Sequence, residues 1–101
     1  MHRQAHVAYT LRLEMAGGSS TDCMARRFSE FVSLLENFKK SGAAGGVADG
    51  WRRRLLVEKR HKKSTPAVVA TRCKLLQKML DELMALPEFA SAPEVGAFLF
   101  G

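Results

Sequence analysis

The sequence predicts an α+β fold, a small antiparallel β-sheet packed against a helical layer of three or more helices. Residues 6–15 alternate apolar and polar side chains, a Gly/Ser turn separates them from a second extended run, and from Phe31 onward the apolar spacing changes to helical. A chain of 101 residues has room for one domain, residues 1–101, whose folding would bury about two thirds of the surface of the unfolded chain. With 47% hydrophobic and 26% charged residues, the composition is that of a globular protein, not of a disordered or fibrous one.

In the first strand Val7, Tyr9, Leu11, Leu13 and Met15 fall on one face, with Thr10, Arg12 and Glu14 on the other. Ala16-Gly17-Gly18-Ser19-Ser20 is turn chemistry, so residues 21–27 are expected to return as the antiparallel partner. Ser29 is placed to cap the next helix, with Glu30 in its first turn and Phe31, Leu34, Leu35 and Phe38 as its buried stripe. Lys39 and Lys40 suit that helix's C-terminal end, and the Gly/Ala run 42–46 is expected to stop it. Residues 42–65 read as the least regular stretch of the chain.

Thr65 before Pro66 opens a helix expected to run to about Leu86, with Val69, Cys73, Leu76, Leu80 and Leu83 on its inner face. Pro87 ends it. Ser91-Ala92-Pro93-Glu94 has capping-box spacing before a short last helix, and Phe89, Val95, Phe98 and Leu99 are expected to close the core.

Sixteen Lys and Arg against ten Asp and Glu give a formal charge of +6, which favours anionic partners. Seven of those cations lie in the thirteen residues from Trp51 to Lys63, around Leu55-Leu56-Val57. No apolar stretch has membrane-spanning length and Met1-His2-Arg3-Gln4 lacks a secretory signal, so a cytoplasmic protein is expected. Cys23 and Cys73 match no zinc or disulfide pattern and are expected to be reduced. His2 and His6 stand four apart, but at a terminus before a strand pattern, and neither metal nor cofactor is expected.

Arg26-Arg27-Phe28-Ser29-Glu30-Phe31 stands where the strand pattern gives way to the helical one. A guanidinium fork matches two phosphate oxygens at once, and a neighbouring ring offers an apolar face to the body that carries the phosphate. The hexapeptide resembles the Arg-Arg/Lys-Tyr/Phe-Ser-Glu-Phe signature of the phox-homology (PX) domains, phosphoinositide readers built from a small antiparallel sheet and a helical layer. The run Arg72-Cys73-Lys74-Leu75-Leu76, then Leu80, Leu83, Leu86-Pro87, Ser91 and Phe98-Leu99, is similar to that family's Arg-led long helix and closing helix. Together these segments cover roughly residues 7–100.

The resemblance implies that Arg27 grips a 3-phosphate, Phe28 lies beneath the inositol ring and Arg72 holds the ring hydroxyls. It implies that Lys59 meets the 1-phosphate, with Lys62 and Lys63 as rivals. Arg26 is expected to face elsewhere, because neighbours on a strand alternate sides. The chain departs from the family in two places. The segment before Lys59 lacks the family's prolines, and no strand pattern precedes Val7, so either the chain is truncated at its start or two main strands are helped by residues 1–5.

The function implied is a membrane-targeting module reading phosphatidylinositol 3-phosphate, the commonest ligand in the family, peripherally on endosomal membranes. Trp51, Arg52, Arg53, Arg54, Lys62 and Lys63 are candidate membrane contacts, with core packing the competing reading of Trp51. A different class of function is a protein-interaction domain that keeps the fold and docks an acidic partner through the basic stretch. Nucleic acid ranks below both, because the aromatics fall on helical core faces and not on a stacking platform. No phosphate loop, dinucleotide glycines or nucleophile elbow is present, which argues against an enzyme.

Overall fold

The structure is a computed structural model that describes residues 7–14, 17–38, 43–60 and 65–101. Four short strands, β1 (Ala8–Tyr9), β2 (Arg12–Glu14), β3 (Ser20–Asp22) and β4 (Arg26–Arg27), precede five helices. These are α1 (Phe28–Asn37), α2 (Ala43–Glu58), α3 (Pro66–Met84), α4 (Pro87–Ala90) and α5 (Pro93–Phe100). The molecule is α+β, as the apolar periodicities require. Met15, Lys39, Lys40, Lys62, Lys63 and the residues expected to assist the sheet, 1–5, lie outside the described residues.

β2 and β3 pair antiparallel across a turn in which Gly17 and Gly18 have φ of +89° and +85°, a conformation that a side chain resists. β1 pairs with β4 further along the same ribbon, but the register slips. Tyr9 faces Arg26 whereas Arg12 faces Asp22, so Thr10 and Leu11 stand against three residues, Cys23, Met24 and Ala25. The extra residue is a bulge. It releases the Met24 N–H, which donates to the Leu99 carbonyl at 2.7 Å and ties the end of α5 to the ribbon. It also resets the alternation after buried Cys23, so that Arg26 turns inward and Arg27 outward.

On the edge of β2 away from β3, Gln77 of α3 does the work of a neighbouring strand. Its amide accepts from the Arg12 N–H at 3.0 Å and donates to the Arg12 carbonyl at 2.8 Å. That satisfies both backbone groups of an edge residue.

α1 begins one residue before Ser29. Arg27 occupies the N-cap with extended φ and ψ, and the Glu30 carboxylate accepts its N–H at 2.8 Å, closing the first turn from the third helical position. Phe28, Phe31, Val32, Leu34 and Leu35 are buried along this helix, as is Phe38 at its C-terminal end.

The irregular stretch expected at 42–65 is instead largely α2, a helix of 16 residues. Ala44, Ala48, Trp51 and Leu55 recur at helical spacing and are all buried, and this stripe outweighs the cost of about 1 kcal/mol that each interior glycine imposes. The Gly/Ala run therefore begins a helix instead of ending one.

α3 starts as the sequence indicates, with the Thr65 hydroxyl accepting the Val68 N–H at 3.3 Å, but its last helical residue is Met84. Its buried face is Arg72, Leu76, Met79, Leu80 and Leu83. Leu76, Leu80 and Leu83 are buried as expected, but Cys73, expected on that face, is exposed, and the neighbouring Arg72 is buried in its place. Ser91 does not cap α5: its hydroxyl donates to the Pro87 carbonyl at 2.7 Å and Ala92 is the N-cap. Phe89, Val95 and Leu99 close the core, and edge-to-face pairs Phe31–Phe98 and Phe38–Phe89, at 5.1 and 4.9 Å, join α1 to α5 and α4.

Candidate functional site

Three distant parts of the chain meet at the corner between β4 and α1. Arg72 reaches from α3 so that its guanidinium carbon lies 4.6 Å from the centre of the Phe28 ring. The same guanidinium donates from Nη2 to the Glu58 carbonyl at 3.2 Å, and its Nε is 3.8 Å from Glu58 Oε1. A cation is favoured there, because the last carbonyls of α2 carry the negative end of the helix dipole. The two side chains are only 11% and 16% exposed, which makes this the most enclosed ion pair among the described residues.

Phe28 is 5% exposed, with the edge of Tyr9 packed near it at 6.4 Å between ring centres. Its ring meets a guanidinium rather than open space. Arg27, immediately before it, is exposed, and its guanidinium makes no ion pair among the described residues. As the N-cap of α1 it places a positive charge at the positive end of that helix, an arrangement that disfavours itself and favours an anion. Lys59 follows Glu58 directly, anchored by its N–H to the Leu55 carbonyl at 2.8 Å, with its side chain exposed. Arg27, Phe28, Arg72 and Lys59 are thus linked through direct neighbours, while Lys62 and Lys63 lie outside the described residues.

Arg26 points the other way, as strand alternation predicts. Its Nε donates to the Phe98 carbonyl at 2.9 Å, its guanidinium carbon lies 4.9 Å from the Phe98 ring centre, and Glu30 is 3.7 Å away. It fastens α5 to the sheet.

The arginines of α2 are engaged close to home. Asp49 binds Arg52 at 2.9 Å and Arg53 at 3.1 Å, while the Arg54 guanidinium lies 4.2 Å over the Trp51 ring centre. The hydrogen bond from Arg52, aided by the charges of Arg52 and Arg53, holds the Asp49 carboxyl below the usual carboxylate range despite a smaller opposing effect of desolvation. Trp51, a candidate membrane contact, is 4% exposed and belongs to the core, and Leu55 beside it is fully buried. The helical stripe that folds α2 takes both side chains away from any bilayer. The exposed apolar residues of this helix are Leu56 and Val57.

One residue of the site escaped the sequence reading. Glu58 is the only carboxylate from Trp51 to Lys63, and that isolation among cations is the one signal the sequence offers for it.

The model of the PX domain family matches residues 14–100. The chain belongs to the PX domain family. No match was found among curated proteins and none among solved structures. PX domains are phosphoinositide-binding, membrane-targeting modules and are generally non-catalytic, so membership carries lipid-headgroup recognition in general for this chain. No helix among the described residues is long and apolar enough to cross a membrane.

Proposed function

We propose that this PX domain reads phosphatidylinositol 3-phosphate and holds its protein peripherally on the cytoplasmic side of endosomal membranes. The observation that carries the reading is that Arg27, exposed and the N-cap of α1, immediately precedes Phe28, the ring on which Arg72 is laid. In this reading Arg27 takes the 3-phosphate and the inositol ring rests against the stack, where Arg72 meets its hydroxyls. Lys59 takes the 1-phosphate, with Lys62 and Lys63 as the alternatives. Each charge-assisted hydrogen bond contributes about 1.5–3 kcal/mol against the cost of immobilising the headgroup. Exposed Arg53 and Arg54 add a nonspecific attraction of about 1 kcal/mol each near an anionic surface. Binding is stoichiometric and reversible, with no bond made or broken.

The test is binding of the wild type and Arg27→Gln to vesicles carrying each phosphoinositide in turn at matched surface charge. Preference for the 3-phosphate lipid, lost in the variant, is expected. Equal binding of both proteins to all vesicles overturns the site.

A second reading follows from the Glu58–Arg72 pair. Arg72 already has partners within its own chain, which fits a protein-interaction domain that keeps the fold and uses its basic surface for an acidic protein. A chain that is folded by circular dichroism yet binds no phosphoinositide vesicle would favour it.

A further inference from the structure

Glu58 interrupts a stretch of thirteen residues, Trp51 to Lys63, that holds seven Lys and Arg. An acid placed there only for solubility would stand in water. Glu58 does not: its side chain is 16% exposed, its carboxylate lies 3.8 Å from Arg72 Nε, and its carbonyl accepts from Arg72 Nη2 at 3.2 Å. The guanidinium it faces is itself laid on Phe28, the residue after Arg27. Carboxylate, guanidinium and ring therefore form one enclosed assembly at the edge of the proposed headgroup site.

We infer that Glu58 is a specificity-determining residue, whose carboxylate, held against Arg72, admits an inositol ring bearing hydroxyls on that side and excludes one bearing a further phosphate there. The inference rests on the lipid reading above. A carboxylate accepts hydrogen bonds from hydroxyl groups, so a ring that presents only hydroxyls gains a partner. A phosphate in the same place brings about −1.5 to −2 of charge, and like charges brought together at a partly desolvated site repel strongly. Glu58 also offsets the charge of Arg72, which would otherwise draw a second phosphate as readily as Arg27 draws the first.

The experiment measures binding of the wild type and Glu58→Gln to vesicles carrying phosphatidylinositol 3-phosphate, the 3,4-bisphosphate or the 3,5-bisphosphate, at matched surface charge. The amide keeps the shape and an acceptor oxygen and removes only the charge. The wild type is expected to prefer the monophosphate by about tenfold or more. The variant is expected to keep monophosphate binding within about twofold and to gain at least one bisphosphate, so that the preference largely disappears. A variant that folds and retains the wild-type preference overturns the inference while leaving the lipid reading intact.

Should the variant fail to fold, soluble headgroups decide the matter on the wild type. Tighter binding of inositol 1,3-bisphosphate than of its 4- or 5-phosphorylated counterparts, with the gap narrowing as salt rises, supports a charged gate. Equal or tighter binding of both more highly phosphorylated headgroups overturns it. A wild type that binds no phosphoinositide vesicle above the charge-matched control removes the lipid reading itself, and the inference with it.

Discussion

The β4–α1 corner and the Arg52–Arg54 run of α2 use the same side chain to different ends. On α2 the arginines are answered within one helical turn, Arg52 and Arg53 by Asp49 and Arg54 by Trp51. Such local, well-hydrated contacts contribute a few tenths of a kcal/mol each and tolerate replacement. At the corner, Arg72 joins α3 to the end of α2 and to the first ring of α1, and it is 9% exposed. The difference teaches that local density of positive charge is a poor guide to a binding site. What marks the corner is a cation held by residues remote in sequence, beside another that its own fold leaves exposed.

The sharpest break in this comparison is Arg72→Ala. It removes a ring contact and leaves the Glu58 carboxylate enclosed without this cation, so a stability loss of about 2–4 kcal/mol in urea denaturation is expected. Arg53→Ala should stay within about 0.5 kcal/mol of the wild type, because its partner Asp49 keeps Arg52 and remains hydrated. Equal losses in the two variants would dissolve the distinction between the regions.

Arg27→Gln separates binding from stability within the corner. With no ion pair to lose among the described residues, it should shift the denaturation midpoint little while weakening the 3-phosphate lipid by about tenfold to a hundredfold. Its neighbour behaves in the opposite sense. Arg26→Ala breaks the tie to the Phe98 carbonyl and ring, so a cost of about 1–2 kcal/mol is expected with the lipid preference kept. Loss of preference in Arg26→Ala, measured on folded protein, would assign the headgroup to the wrong arginine.

That the two arginines face opposite sides was legible in the sequence, since adjacent strand residues alternate. The bulge that gives each arginine its side was not, because it depends on the pairing of two strands and on an acceptor, the Leu99 carbonyl, far along the chain. The hairpin and α1 were legible from periodicity and α3 from periodicity and its Thr65 cap, whereas the cap expected at Ser29 falls instead on Arg27. α2 was missed because its glycines and small apolar residues resemble a loop until α1 and α3 cover the Ala44, Ala48, Trp51 and Leu55 stripe. The same packing decides between the two readings of Trp51. Arg72 was singled out by family resemblance alone, since a cation inside an apolar repeat reads as a surface residue, and Glu58, its partner, stands out only as a lone carboxylate among cations, which does not name a contact 14 residues away.

The smallest effect expected lies on the α2 side. Asp49 is held below the ordinary carboxylate range mainly by its hydrogen bond from Arg52, so its charged form is favoured in the folded state. A depressed folded value means that the stabilisation is present above the ordinary carboxylate range and is lost as pH falls through the lowered one. The melting temperatures of the wild type and Asp49→Asn should therefore differ slightly at neutral pH and converge in acid. Removing this carboxylate also raises the net positive charge of α2 by one, so Asp49→Asn should bind anionic vesicles without phosphoinositide more strongly, with a steeper loss on adding salt. Its preference among phosphoinositides should not move, because that is set at the corner and α2's arginines see only the total charge. A changed preference in Asp49→Asn at matched surface charge would place part of the recognition on α2 and merge the two regions into one site.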